Sequence, residues 1–194
     1  MKTLQYSINI FSQITESEEL QKNYESPLVS VEESTILLKQ KCLRANSFIP
    51  ENTLIFLFHN SASSNRTRTS IQVAENLHIE AGEFGSCTNH SCAPNAAIVS
   101  KCNTETMQAT VMLITLHDVH AGSELTFDYA TTESTLTSEL LNQPCLCSSS
   151  QCRRIMIGYN QLSDIQKDEL TKQGLVANYL INDKFAYGDK TLRR

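Results

Sequence analysis

Asn89-His90-Ser91-Cys92-Ala93-Pro94-Asn95 is the stretch on which the reading of this chain turns. Glu124 stands 29 residues after Asn95 and opens Glu124-Leu125-Thr126-Phe127-Asp128-Tyr129; further on come Cys145-Leu146-Cys147 and, after four more residues, Cys152. A tight cluster of three cysteines with a fourth far upstream is what a tetrahedral zinc site needs. Its thiolates sit at about 2.3 Å from the metal and are supplied by segments that folding brings together. The candidate ligands are Cys92, Cys145, Cys147 and Cys152. Buried free thiols, or disulfides in a secreted protein, are the other states open to them. Seven cysteines is an odd number, and a single residue between Cys145 and Cys147 makes poor disulfide geometry. The start, MKTLQYSINIFSQ, is polar where a secretion signal would be apolar. The expectation is therefore a metal-binding thiolate site in an intracellular protein, cytoplasmic or nuclear, with Cys42, Cys87 and Cys102 as ordinary buried or partly buried thiols.

The 194 residues, 40% of them apolar, suit one domain with a core that needs no disulfide staples. No uninterrupted apolar run of about 18 residues exists, so no membrane span is expected. The 16 Lys and Arg against 21 Asp and Glu give a net charge of −5, which disfavours a direct grip on nucleic-acid phosphates, sequence-specific or not. A basic substrate peptide suits that balance better.

Alternating apolar and polar residues predict strands at Leu4 to Phe11, Thr35 to Leu43, Thr53 to Phe58, Thr69 to Ala74, Ala96 to Lys101 and Met107 to Leu116. Helices are fewer. Thr15-Glu16-Ser17-Glu18 is a capping-box pattern, Ser163-Asp164-Ile165-Gln166 opens another helix that Gly174 can close, and Ser134 to Gln143 is a third candidate. Ser61 to Thr69 reads as an exposed loop. Many short strands without a βαβ rhythm argue against a doubly wound nucleotide fold, so no Gly-rich βα turn is available to hold a cofactor.

The three motifs together, NHSCxPN then ELTFDY then CxCx4C, resemble the SET-domain family. The similarity continues in Leu43-Arg44-Ala45, in Ile49-Pro50-Glu51-Asn52-Thr53-Leu54-Ile55, in Ser70-Ile71-Gln72-Val73 and His78, and in Ile157-Gly158-Tyr159 with Leu162. Asn52 stands where the family has a glycine, and asparagine is the side chain that best tolerates positive φ after glycine. The resemblance implies a mostly β fold with short helices: small sheets, a C-terminal pseudoknot that sets the NHSC and DY segments side by side, and a post-SET zinc site made by the same four cysteines. It also implies this organisation: an N-terminal strand and helix segment at 1–27, a SET domain at 28–130, a post-SET zinc segment at 131–158 and a helical tail at 159–194.

The resemblance further implies an S-adenosylmethionine-dependent methyltransferase acting on a lysine-containing protein or peptide, histones included. Tyr129 matches the catalytic tyrosine. Phe127 matches the position that sets how many methyl groups are added, a phenylalanine implying di- or trimethylation. Asn89 and His90 match the cofactor-binding pair, Leu146 or the residues after Cys152 are placed to cover the adenine, and Asp128 is expected to brace its turn. Pro94 and Asn95 shape the turn that follows. The family's Gly-x-Gly near the N-terminus is missing, since the first glycine is Gly82 and the stretch from Glu32 to Arg44 offers Ser34, Thr35, Lys39 and Gln40 instead. Ser86 replaces a usual arginine and Ser148 a usual glycine. A non-catalytic module that binds peptide and a methyltransferase of small amines therefore remain open beside the protein-lysine enzyme.

Overall fold

The computed structural model of the protein describes residues 22–37 and 39–181. The strand expected at Leu4 to Phe11 and the capping box at Thr15 to Glu18 lie outside the described residues.

Three long strands carry the frame. Strands β4 (Leu54–Ser61), β8 (Ala96–Asn103) and β9 (Gln108–Thr115) pair antiparallel with the short β1 (Tyr24–Glu25) in the order β1-β4-β9-β8. Their β-branched and aromatic residues suit a pleated surface buried on both faces. Period-two alternation divides β9: Val111 and Leu113 enter the main core, while Met112 and Ile114 join Leu57 in a second cluster. The β8–β9 hairpin closes on Asn103, whose side-chain oxygen accepts the Glu105 and Thr106 N–H groups at 3.0 Å each.

A second sheet runs β2 (Val29–Glu33), β3 (Lys41–Ala45), β10 (Glu124–Phe127) and β7 (Asn89–His90). The β10–β7 pair is parallel, with Thr126 opposite Asn89 and Phe127 opposite His90. Two motifs far apart in the chain thus lie side by side. The Asn95 side chain clamps them, its Nδ2 donating to the Glu124 carbonyl at 2.8 Å and its Oδ1 accepting the Thr126 N–H at 2.9 Å. Strands β5 (Ile71–Ala74) and β6 (Leu77–Ile79) form a separate hairpin, followed by the short helix α1 (Gly82–Ser86). Asn52 has φ 60°, as its place in the glycine position predicts.

Helix α2 (Asp164–Lys172) begins where expected. Ser163 Oγ accepts the Gln166 N–H at 3.3 Å, Gln166 Oε1 accepts the Ser163 N–H at 3.0 Å, and Gly174 closes the helix at φ 69°. Leu170 is its buried residue, packed with Tyr159, Leu162, Val176 and Leu180.

Two expectations are corrected. Thr35 to Leu43 is not one strand, because the Ser34 hydroxyl accepts the N–H groups of Ile36 and Leu37 at 3.1 and 2.9 Å and turns the chain after β2, with β3 starting only at Lys41. Ser134 to Gln143 forms turns and not a helix. Its first backbone groups are engaged elsewhere: the Ser134 carbonyl accepts from Asn160 at 2.9 Å and the Ser134 N–H donates to Gln72 Oε1 at 2.9 Å.

Candidate functional site

The second sheet, the β5–β6 hairpin and the 134–156 segment enclose a cleft of about 980 Å³. Asn89, His90, Phe127, Tyr129 and Leu146 all line it, as do Cys145 and Cys147. The residues singled out from the sequence therefore converge on one place.

Tyr129 follows β10 at the start of a 3-10 turn, fixed by Asp128 Oδ1 accepting the Ala130 N–H at 3.1 Å. Its hydroxyl donates to the Thr88 carbonyl at 3.1 Å. Burial raises its pKa; the nearby Arg68 charge opposes that rise and the Glu133 and Cys87 charges add to it, so the group remains a protonated phenol at neutral pH. The Phe127 ring lies 4.8 Å from the Tyr129 ring and only 4% exposed, without a hydroxyl of its own to hold a water. Asn89, buried, donates its side-chain N–H to the Lys41 carbonyl at 3.1 Å. Lys41 falls in the stretch that replaces the missing Gly-x-Gly, whose turn Glu124 holds by accepting from Ser34 Oγ at 2.9 Å.

His90 turns its ring toward the cysteines. The Tyr129 N–H donates to Nδ1 at 3.2 Å, which leaves the ring proton on Nε2, facing Cys92 Sγ at 3.2 Å. Burial drives its pKa down to about 4, with Asp128 opposing and Arg153 assisting, so the imidazole is neutral. This side-chain role was not legible in the NHSC motif.

The four sulfur atoms of Cys92, Cys145, Cys147 and Cys152 lie within 4.8 Å of one another, and Cys92 to Cys145 is 3.8 Å. A tetrahedron with vertices about 2.3 Å from its centre has edges of about 3.8 Å, so the spacing suits a metal ion. It is far too long for a disulfide, and all seven cysteines are free. Backbone N–H groups already point at the sulfurs, Arg153 N–H to Cys92 at 3.4 Å and Arg154 N–H to Cys152 at 3.3 Å. Burial pushes Cys92 up to about 11. At Cys147 burial is outweighed by the N–H groups of Cys92 and Ser149 and by Cys152 and Cys145, which bring it down to about 7. Cys92 and Cys145 are buried and Cys147 and Cys152 half-buried, and four such sulfurs at this spacing could hold a cation.

Asp128 braces its turn, as expected, and does more. Arg153 binds it through both terminal nitrogens, at 2.5 and 2.7 Å, with Asp128 fully enclosed. The fork ties the residue after the last cysteine to the DY motif. Arg153 was missed from the sequence, although an arginine directly after Cys152 was the one available signal. Glu133 was missed as well: it is buried in the cleft wall, and burial lifts its carboxyl to about 7 against the Gln72 N–H, Arg66 and Thr132.

Comparison with known proteins agrees with the geometry. The family model for the SET domain matches residues 40–130. The histone-lysine N-methyltransferases SETD2 of Mus musculus and of Homo sapiens are each 36% identical over 92 residues, covering 44% of this chain. The chain spans 3% of the length of these curated relatives. The crystal structure of KRYPTONITE in complex with mCHG DNA and SAH superposes with a TM-score of 0.51 at 21% identity, over 66% of this chain and 28% of that one. Its complex with mCHH DNA, H3(1-15) peptide and SAH gives 0.50 at 20% identity, over 66% and 29%. These likenesses describe the fold. Residues 40–130 match the SET domain, and the fold around them is that of SET-domain structures.

Proposed function

We propose that this protein is an S-adenosylmethionine-dependent protein-lysine N-methyltransferase that adds two or three methyl groups to a lysine in a protein or peptide, with histone tails as the first substrates to try. The reading is supported above all by the convergence of Asn89, Phe127, Tyr129 and the cysteine cluster on one cleft. Its volume of about 980 Å³ suits a nucleoside cofactor together with an acceptor side chain. The relatives named as histone-lysine N-methyltransferases, and the neighbour crystallised with an H3 peptide and SAH, point the same way.

When bound, S-adenosylmethionine supplies a sulfonium methyl group to an amine. The chain's task is to present that amine neutral and in line. A free lysine is only about 0.04% neutral at pH 7, and enclosure in an apolar channel lowers its pKa. Tyr129, held as a phenol, orients the lone pair through its hydroxyl oxygen, and water takes the proton. Phe127 leaves room for an amine already methylated. Asn89 and the backbone of His90 would hold the cofactor, with Leu146, 56% exposed on the cleft rim, beside it. Cys92, Cys145, Cys147 and Cys152 would hold Zn²⁺.

Tyr129→Phe is expected to lower turnover by on the order of 10²-fold while cofactor affinity stays within twofold, since the hydroxyl acts mainly at the transition state. Mass spectrometry of histone and lysine-rich peptides incubated with cofactor reads the first quantity, and calorimetric titration the second. Wild-type turnover in the variant would remove Tyr129 from the mechanism. Asn89→Ala should weaken cofactor binding by about 1–3 kcal/mol through loss of a hydrogen bond to a charged group. One observation favours a second reading. The Asn89 amide already donates to Lys41, where the Gly-x-Gly backbone is missing. If saturating cofactor moves neither the melting temperature nor the titration signal, a peptide-binding module without methyl transfer is the better account. Transfer to small amines alone would favour the small-amine enzyme.

A further inference from the structure

The cleft is less acidic than the molecule. Of its cations, Arg44 is held by Glu32 and Glu124 at 2.9 and 3.3 Å, and Lys41 by Glu83 at 2.9 Å. Lys39 and Arg68 make no such ion pair among the described residues, and of these two it is Arg68 whose charge acts on Tyr129. Arg68 is exposed and lines the cleft, and no carboxylate lies within ion-pair distance of it among the described residues. Beside it Arg66 gives a terminal nitrogen to the Thr135 carbonyl and keeps its Nε buried with no partner.

The turn that carries Arg68 is pinned. Thr67 N–H donates to Ser70 Oγ at 3.0 Å and Ser70 N–H to Thr67 Oγ1 at 3.0 Å. The Glu80 carboxylate is engaged by the hydroxyls of Thr67 at 2.6 Å and Thr69 at 3.5 Å, on either side of Arg68. Arg68 is close enough to Tyr129 for its charge to act on the phenol. Glu133, the acid buried nearby, has its carboxyl lifted by burial to about 7, so near neutral pH it offsets that charge only in part.

We propose that Arg68, backed by Arg66, is an anion subsite beside the acceptor end of the cleft, and that the protein selects lysines with an Asp or Glu side chain a few residues away. The guanidinium fork is built for bidentate binding of a carboxylate. This rests on the lysine methyltransferase reading and narrows its substrate class. It runs against the basic peptide that the net charge of −5 suggests.

The test uses lysine peptides identical except for one flanking position carrying Glu, Gln or Lys. With wild type the Glu peptide should react about 10-fold faster than the Gln peptide, as expected for one charge-assisted hydrogen-bonded pair. Added salt should shrink that ratio. Arg68→Ala should level the three, and Arg68→Glu should favour the Lys peptide. Anisotropy of labelled peptides reads binding separately and should follow the same order. Methyl transfer that ignores the flanking residue, in wild type or unchanged in Arg68→Glu, overturns the subsite and leaves the activity standing. Ordered binding without transfer overturns the activity and keeps the subsite. Peptides that neither bind nor react overturn both. Should Arg68→Glu change cofactor affinity while flank preference persists, Arg68 serves the cofactor's carboxylate and the proposal fails.

Discussion

Glu133 and His78 face each other inside the cleft wall, Oε2 to Nδ1 at 3.9 Å, and each is displaced toward its neutral form. Burial lifts the carboxyl to about 7, while burial and then Arg66 lower the imidazole to about 4 against the pull of Glu80. Arg66, Glu80 and the Tyr179 hydroxyl, which donates at 2.7 Å to the carbonyls of Gln72 and Thr132, complete the polar surroundings. The two groups have opposite linkage. Glu133, with its folded pKa raised, contributes stability that is present at acid pH and is lost as pH rises through about 7. His78, with its folded pKa lowered, contributes stability that is present above its ordinary value and is lost as pH falls toward about 4. They offset each other across the mildly acid range. Glu133→Gln removes the first contribution, keeps an acceptor for the Gln72 N–H, and offers an amide donor to the unpartnered His78 Nδ1. The variant's stability relative to wild type should therefore improve steadily from about pH 5 to about pH 8 in urea titrations. A difference that does not vary with pH would refute the raised carboxyl. Nothing in Thr131-Thr132-Glu133-Ser134 announces this, because the residue's character comes from partners some sixty positions away in β5 and β6. The cysteines are singled out by their own type and spacing, whereas Asn89, Phe127 and Tyr129 are reached only through the resemblance of their motifs to the SET-domain family. The structure places all three of these, with Cys145 and Cys147, on one cleft.

At the level of elements, strand length decided what could be read. β4, β8 and β9, with eight residues each, are long enough to show their alternation and lie where the pattern placed them. β1 and β7 have two residues each and can show no period. The false strand at Thr35 to Leu43 had the right apolar residues but an unseen competitor, the Ser34 hydroxyl, that turned the chain. No sequence pattern reports that β10 will run parallel to β7, although that pairing builds the site. The loop bearing Arg153 is joined to this pair by the Arg153–Asp128 fork, both side chains being at least nine-tenths hidden from solvent. Arg153→Ala should destabilise the protein by about 3–5 kcal/mol, because Asp128 would keep a buried charge without its partner. Arg153→Lys should recover only part, since an ammonium cannot span both oxygens. Thermal melts of the two variants test this, and an alanine variant as stable as wild type would show that water serves Asp128 equally well. By contrast, Ser163→Ala at the exposed cap of α2 should cost only about 1 kcal/mol.

Across the whole molecule, two kinds of cohesion meet at the cleft. The sheets are held by apolar residues such as Phe56, Leu43, Leu113 and Leu125, which are fully buried and need nothing but each other. The 136–156 segment has a smaller cluster in which Leu136 and Met156 pack against cysteines. Its backbone is tied by a few bonds, among them Cys145 N–H to the Arg154 carbonyl at 3.0 Å and Met156 N–H to the Gln143 carbonyl at 2.8 Å. If the four sulfurs hold zinc as proposed, this segment would draw on that binding, which contributes an apparent ~10–16 kcal/mol in small zinc-dependent domains. Stability should therefore be divided. Elemental analysis is expected to find one zinc per chain, and stripping it with a strong chelator should release amide protection first over 136–156. β4, β8 and β9 should remain protected until global unfolding. Cys147→Ser should reproduce that pattern at reduced metal content. Since Cys145, Leu146 and Cys147 line the cleft, cofactor affinity should fall together with zinc occupancy. Hydrogen exchange that loosens the sheets and the 136–156 segment together after chelation would contradict this division, and protein purified without chelator yet free of zinc would leave the sulfurs without their proposed role.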